Sequence, residues 1–172
     1  VLIKRKTCNS VNQGVLNDIR KSNYRKVILH AAWVHNSYPM TAEKFREKIS
    51  FTLNELQKIE GIQIVLVGNV PRWKVSPYQL DKFENEYVEI NEIKYYRDSP
   101  IIDIDEIMLD LQRKYRFDYF SPIKSACIYD SNIRYCPLSL KRDLFYVDSG
   151  HLSRLGSEYI VSSLGELFSP TM

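Results

Sequence analysis

The chain has 172 residues, the length of one domain. Its 44% hydrophobic and 26% charged residues exclude a collagen-like, mucin-like or wholly disordered chain. A net charge of +3, from 24 basic and 21 acidic residues, is too small to argue for nucleic acid, and the basic clusters at 4–6, 20–21 and 25–26 are short.

The apolar stretches at 27–34 and 62–70 fall short of the roughly 20 residues a membrane-spanning helix needs. Val1 opens the chain with neither an initiator Met nor an apolar leader, as an excised piece of a longer protein does.

In chain order, residues 1–4 read as a short strand. Val11, Val15, Leu16 and Ile19 recur at helical spacing and predict a helix over 11–21. The run Lys26–Trp33 is apolar without alternation, the pattern of a strand buried on both faces of a parallel sheet. Thr41 offers an N-cap for a helix over 42–59, with Phe45, Ile49, Leu53 and Leu56 on one face and Gly61 as its C-terminal cap. Residues 62–67 are the second buried strand, broken by Gly68 and Pro71.

The segment of about 72–102 is polar, tyrosine-rich and insertion-like, with a weak helix over 78–86. Residues 104–115 read as a helix, with Asp103, Asp105 and Glu106 as charges favourable to its N-terminal dipole. A short strand over 117–120 and a loop over 121–143 follow. The last helix spans 153–168, with Leu155, Tyr159, Ile160, Leu164 and Leu167 inward and Ser153 as its N-cap. Helices alternating with continuous apolar strands predict a three-layer α/β/α sandwich with a parallel sheet. Such sheets place function in the loops beyond the strands' carboxyl ends, here 34–40, 68–73 and 148–153.

Cys127 and Cys136 lack the spacing and the nearby His of a zinc site. They read as a local disulfide in an oxidising compartment, or else as two unpaired thiols in a reducing one. Cys8 is left over. No metal site emerges, and the phosphate-loop, dinucleotide, zinc-protease and nucleophile-elbow patterns are all absent.

The sharpest constellation is Asp148-Ser-Gly-His151-Leu-Ser-x-x-Gly156 in a strand-to-helix turn. A carboxylate three residues before an imidazole accepts a hydrogen bond from one ring nitrogen and leaves the other basic. That is the base-and-orienter half of a Ser-His-Asp system, with Gly150 permitting the tight turn. The alternative is a capping Asp followed by an incidental loop His. His30 reads as a core or sheet-face residue and His35 as a surface loop residue.

This block resembles the last conserved block of the SGNH hydrolase/acyltransferase superfamily. More narrowly, it is similar to the SGNH domain fused to membrane type-3 acyltransferases, which O-acetylate bacterial surface polysaccharides such as O-antigen. Residues 8–16, 27–33, 52–71 and 127–136 resemble earlier segments of that family in the same order. The resemblance implies that 1–172 is a partial SGNH domain of flavodoxin-like sandwich fold. It implies His151 as the catalytic base and Asp148 as its orienter, and Cys127–Cys136 as the family's late disulfide loop. Asn36 is the candidate oxyanion donor and Trp33 a candidate acceptor-site aromatic.

The family's nucleophile lies in a Gly-Asp-Ser block, and no Gly-Asp-Ser occurs here. The expectation is therefore a domain whose first strand and Ser loop lie outside this chain, leaving an apolar sheet edge. The implied function is O-acetyl transfer to a cell-surface polysaccharide acceptor, by the periplasmic domain of a bacterial inner-membrane protein. This domain needs no cofactor of its own; acetyl-CoA is the acyl donor for the parent, through its N-terminal integral-membrane acyltransferase domain. An SGNH carbohydrate acetyl-esterase and an inactive remnant or glycan-binding module are the alternatives.

Overall fold

The computed structural model describes residues 6–31, 33, 41–73, 77, 87–89, 104–130, 133–140 and 143–162. Three short apolar strands, β1 (Lys26–His30), β2 (Gln63–Val67) and β4 (Asp118–Phe120), form a parallel sheet in the order β1-β2-β4. Val27 pairs with Ile64, and Leu66 with Tyr119. Side chains alternate across a strand, so the sheet has two apolar faces.

On one face Val27, Leu29, Ile64 and Leu66 pack against α1 (Lys6–Lys21), α2 (Ala42–Gln57) and α3 (Ile104–Gln112). The helical residues buried there are Ile19, then Phe45, Ile49, Leu53 and Leu56, then Ile104, Ile107, Met108 and Leu111. On the other face Val67 and Phe120 meet Ala126 of α4 (Pro122–Ala126) and Ile160 of α5 (Arg154–Ser162). The expected three layers with a parallel sheet are therefore present. Among the described strands β1 pairs on one side alone, and Ile28 is 45% exposed beside that edge.

The α2 stripe is buried as its spacing predicts, and the Thr41 side chain accepts from the Lys44 amide. That helix ends at Gln57 with Lys58 as its C-cap, short of the expected 59 and of Gly61. Gly61 has φ +72° and serves the turn into β2, a backbone that favours glycine. In α1 the periodicity misleads: Ile19 is buried, but Val11 and Val15 are 61% and 54% exposed.

As expected, Asp105 stands with Glu106 in the first turn of α3, but Asp105 does not face water. It is buried and accepts from the Tyr119 hydroxyl and, at 2.7 Å, from Ser121 Oγ, tying α3 to β4. The expected strand over 1–4, the helix over 78–86, Asp103, and Leu164 with Leu167 lie outside the described residues.

The largest departure is at 121–143, expected as a loop. Ser121 accepts from the Lys124 amide at 3.1 Å and Pro122 sits in the first turn, so a short helix starts there. β5 (Ile128–Asp130) and β6 (Ile133–Pro137) then form a hairpin, which β3 (Tyr87–Glu89) extends to a second sheet in the order β3-β6-β5. β7 (Ser139–Leu140) and β8 (Asp143–Leu144) make a further two-stranded pair.

Cys127 and Cys136 are disulfide-bonded across this hairpin. Their side chains join a second core of Trp73, Ile123, Leu138, Phe145 and Tyr146. Closing so short a loop removes about 3 kcal/mol of unfolded-chain entropy on the loop-closure view.

Gly156 of α5 lies directly on the Phe145 backbone: an added Cβ would sit 2.8 Å from the Phe145 carbonyl carbon and 3.0 Å from its Cα. Gly156→Ala gains about 1 kcal/mol of helix propensity. Overpacking against main chain, which has no rotamer to yield, costs about 1–3 kcal/mol or more. The clash wins, and urea denaturation is expected to show net destabilisation. An unchanged or raised midpoint would contradict this packing.

Candidate active site

The site is assembled at the carboxyl ends of the parallel strands. β2 runs into Gly68, where any side chain would collide with the Tyr119 hydroxyl. Asn69 follows and is buried. Its Oδ1 accepts from the Trp33 amide at 3.1 Å, while Trp33 Nε1 donates to the Val67 carbonyl at 2.6 Å. The segment after β1 is thus fastened twice to the end of β2.

Beyond Asn69, Pro71 and Trp73 are fully buried. Trp73 packs edge-to-face on Tyr146, with ring centroids 5.2 Å apart. The Trp73 amide donates to the Ser149 carbonyl at 2.8 Å, linking the loop after β2 to the turn that carries Asp148 and His151. Burial pushes the Tyr146 phenol far above its ordinary range, so it stays neutral at working pH.

The turn is closed by its own main chain. Val147 donates to the His151 carbonyl at 2.9 Å, and Ser153 donates to the Phe145 carbonyl at 2.8 Å. Asp148 Oδ1 accepts from the Gly150 and His151 amides at 2.8 and 2.9 Å, an Asx-type turn. His151 Nδ1 lies 2.8 Å from Asp148 Oδ2 and 3.0 Å from Oδ1. An ionised carboxylate only accepts, so Nδ1 carries the proton and Nε2 holds the free lone pair of the neutral ring.

The His151 hydrogen bond and the two amides hold the Asp148 carboxyl down at about 2. Both side chains face solvent, at 81% exposure for His151 and 55% for Asp148.

Gly150 does not act as expected. Its φ lies outside the left-handed region, so the turn does not require glycine for backbone reasons. What glycine provides is room: an added Cβ would stand 3.1 Å from Arg72 Nε and 3.5 Å from Nη2. Arg72 lies against the Asp148–His151 turn and carries no motif that would have disclosed it in the sequence.

Ser153 caps α5, accepting from the Gly156 amide at 3.1 Å and donating to the Leu144 carbonyl at 2.7 Å. It therefore faces away from chemistry, as its place in the sequence suggested. Trp33 is half-buried and meets Phe45 edge-to-face at 6.3 Å. His30 is exposed at the end of β1, its Nδ1 3.4 Å from the Val67 carbonyl. Asn36 and His35 lie outside the described residues. Among the described residues no three His, Cys, Asp or Glu side chains are grouped to hold a metal, and no helix is long and apolar enough to cross a membrane.

A family model described as the SGNH domain fused to AT3 domains matches residues 2–165. The chain belongs to that SGNH domain family. The solved periplasmic domain of a lipopolysaccharide acetyltransferase from Salmonella ser. Paratyphi A is similar in fold, with a TM-score of 0.73 at 19% identity. The likeness covers 92% of this SGNH chain and 62% of that one, so the chain spans less than two thirds of its neighbour. No protein of curated function matches it.

The carboxylate of this SGNH domain makes a direct prediction. Its folded value is depressed below the ordinary 3.8, so its stabilising effect is fully present above that value and is lost as pH falls toward about 2. Carbon-detected NMR should place the Asp148 midpoint near 2, and His151→Ala should move it upward. A midpoint in the ordinary range in the unsubstituted protein would mean that the pair does not form in solution.

Proposed function

We propose that this domain supplies the His–Asp half of a Ser-His-Asp O-acyltransferase acting on a bacterial cell-surface polysaccharide. The observation that carries the reading is the Asp148–His151 pair in a chain of the SGNH family fused to AT3 domains. The pair has its protonated nitrogen fixed by a carboxylate and its basic nitrogen open to the outside. The nucleophilic Ser lies outside this chain.

In this mechanism Nε2 of His151 takes the Ser hydroxyl proton as the oxygen attacks the donor's acyl carbonyl. The proton passes to the leaving group as the tetrahedral intermediate collapses, leaving an ester on Ser. Nε2 next removes the proton of a sugar hydroxyl, whose oxygen attacks that ester. Collapse returns the proton to Ser Oγ and releases the acylated sugar. Asp148 keeps the imidazole in the required tautomer and stabilises the imidazolium formed in each half. Acetyl-CoA is the donor in the parent, delivered through its AT3 membrane part.

Asn36 is proposed as an oxyanion donor and Trp33 as an acceptor-site aromatic. A periplasmic position agrees with the disulfide and with the neighbour's described location.

The test is polysaccharide acetylation by the parent protein, read as acetyl signals on the isolated polymer. His151→Ala should abolish transfer while the protein stays folded. Asp148→Asn, which preserves shape and loses the correct tautomer, should reduce the rate by about 10³–10⁴-fold. Acetylation undiminished in His151→Ala sinks the proposal. Acetyl release to water that depends on His151, with no transfer to sugar, would identify an esterase instead.

A further inference from the structure

Arg72 places a cation beside the Asp148–His151 pair, and no step of the acyl-transfer mechanism uses it. Its position is fixed from both sides. Pro71 and Trp73 are fully buried, and the Trp73 amide is bonded to the Ser149 carbonyl. The guanidinium occupies the space next to Gly150, with Nε, Nη2 and Cζ 3.1, 3.5 and 3.6 Å from where a Cβ would lie. Gly150 is the residue immediately before His151, so the positive group lies against the turn that carries the imidazole.

Arg72 is only partly exposed, so it is held rather than free in solvent. Four other arginines, Arg20, Arg46, Arg113 and Arg154, pair with Glu55, Asp110 or Glu158. Among the described residues no carboxylate forms an ion pair with Arg72. The site's own carboxylate, Asp148, is already engaged by His151 and two amides.

We infer that Arg72 is a specificity-determining residue that selects an acceptor sugar carrying an anionic oxygen group, a carboxylate or a phosphate, near the hydroxyl that is acylated. A planar guanidinium offers paired N–H donors that match either group. A fixed arginine loses less freedom on engaging such a group than a mobile surface one. The open surroundings of His151 suit a polymeric acceptor, whose charged substituent would sit on Arg72 while a hydroxyl reaches Nε2. This inference deepens the acyl-transfer reading and rests on it for the identity of the acceptor.

The experiment is a binding titration on the full-length protein that carries this domain. It uses two matched pairs of probes: digalacturonate against digalactose, and glucose 6-phosphate against glucose. At least one charged probe is expected to bind about tenfold more tightly than its neutral partner, the scale of a charge-assisted hydrogen bond. The preference should shrink as salt is raised. Whichever pair shows it identifies the anion.

Arg72→Gln keeps a planar polar head and removes the charge; it should erase the preference while leaving neutral-probe binding unchanged. Arg72→Lys should retain part of it. A merely structural Arg72 would lower binding of both members of a pair alike. Equal binding within both pairs, no binding of any probe at low millimolar concentration, or a preference surviving in Arg72→Gln overturns the inference.

The two readings fail separately. A preference present in a protein whose transfer ignores His151→Ala sinks only the mechanism. Loss of acetylation in His151→Ala, with no charge preference in the unsubstituted protein, sinks only the role of Arg72.

Discussion

One main-chain hydrogen bond organises the functional end of this molecule: the Trp73 amide to the Ser149 carbonyl. It joins the loop that leaves β2 to the turn that precedes α5, two segments more than 70 residues apart in the sequence. The bond is sheltered, because the Trp73 indole is completely buried against Tyr146 in the second core. Beside it, Arg72 lies against Gly150 and adds a side-chain contact between the same two segments. With it, a local arrangement that any Asp-x-x-His sequence can form is set at the carboxyl edge of a parallel sheet, where α/β folds gather their chemistry.

Two buried polar side chains near that edge, Asp105 and Asn69, each have partners fixed near a strand end. Asp105 enters the interior from the first turn of α3 and is met by the Tyr119 and Ser121 hydroxyls at the end of β4. The missing side chain at Gly68 is what lets the Tyr119 hydroxyl approach. Asn69 is met by the Trp33 amide. A buried carboxylate left without such donors would be costly. The network therefore constrains how the ends of β2 and β4 sit beside each other.

The sheet and its helices were legible because burial leaves a periodic trace. The runs at 27–29 and 64–66 are unbroken apolar, though Ile28 at the β1 edge is exposed and not buried as expected, and Phe45, Ile49, Leu53 and Leu56 keep one helical period. The same logic failed for Val11 and Val15, because apolar spacing records what a helix offers and not whether a neighbour covers it. The hairpin at 128–137 was missed because its strands are short and its stability is shared with a disulfide and with β3, from a segment read as insertion.

At the site, Asp148 and His151 were legible because their contact is local, three residues apart. The approach of Arg72 to their turn was not, because it arises only where two distant loops touch. The burial of Asp105 was not legible for a related reason: a carboxylate in a first helical turn has the same sequence signature whether it faces water or a pair of hydroxyls.

The fastenings of the site have a common character. Trp33 is held through its own amide and indole, Trp73 through its amide, and the dyad turn through the amides of residues 147, 150, 151 and 153. Three of these joints are main chain to main chain, and the other four need only the side chains of Trp33, Asn69 and Asp148. On the proposed reading, side chains around the turn other than these, Arg72 among them, can be exchanged to retune what the site accepts without resetting the imidazole. Under that reading, evolutionary variation in such a domain should accumulate as changes of clientele before it appears as changes of chemistry.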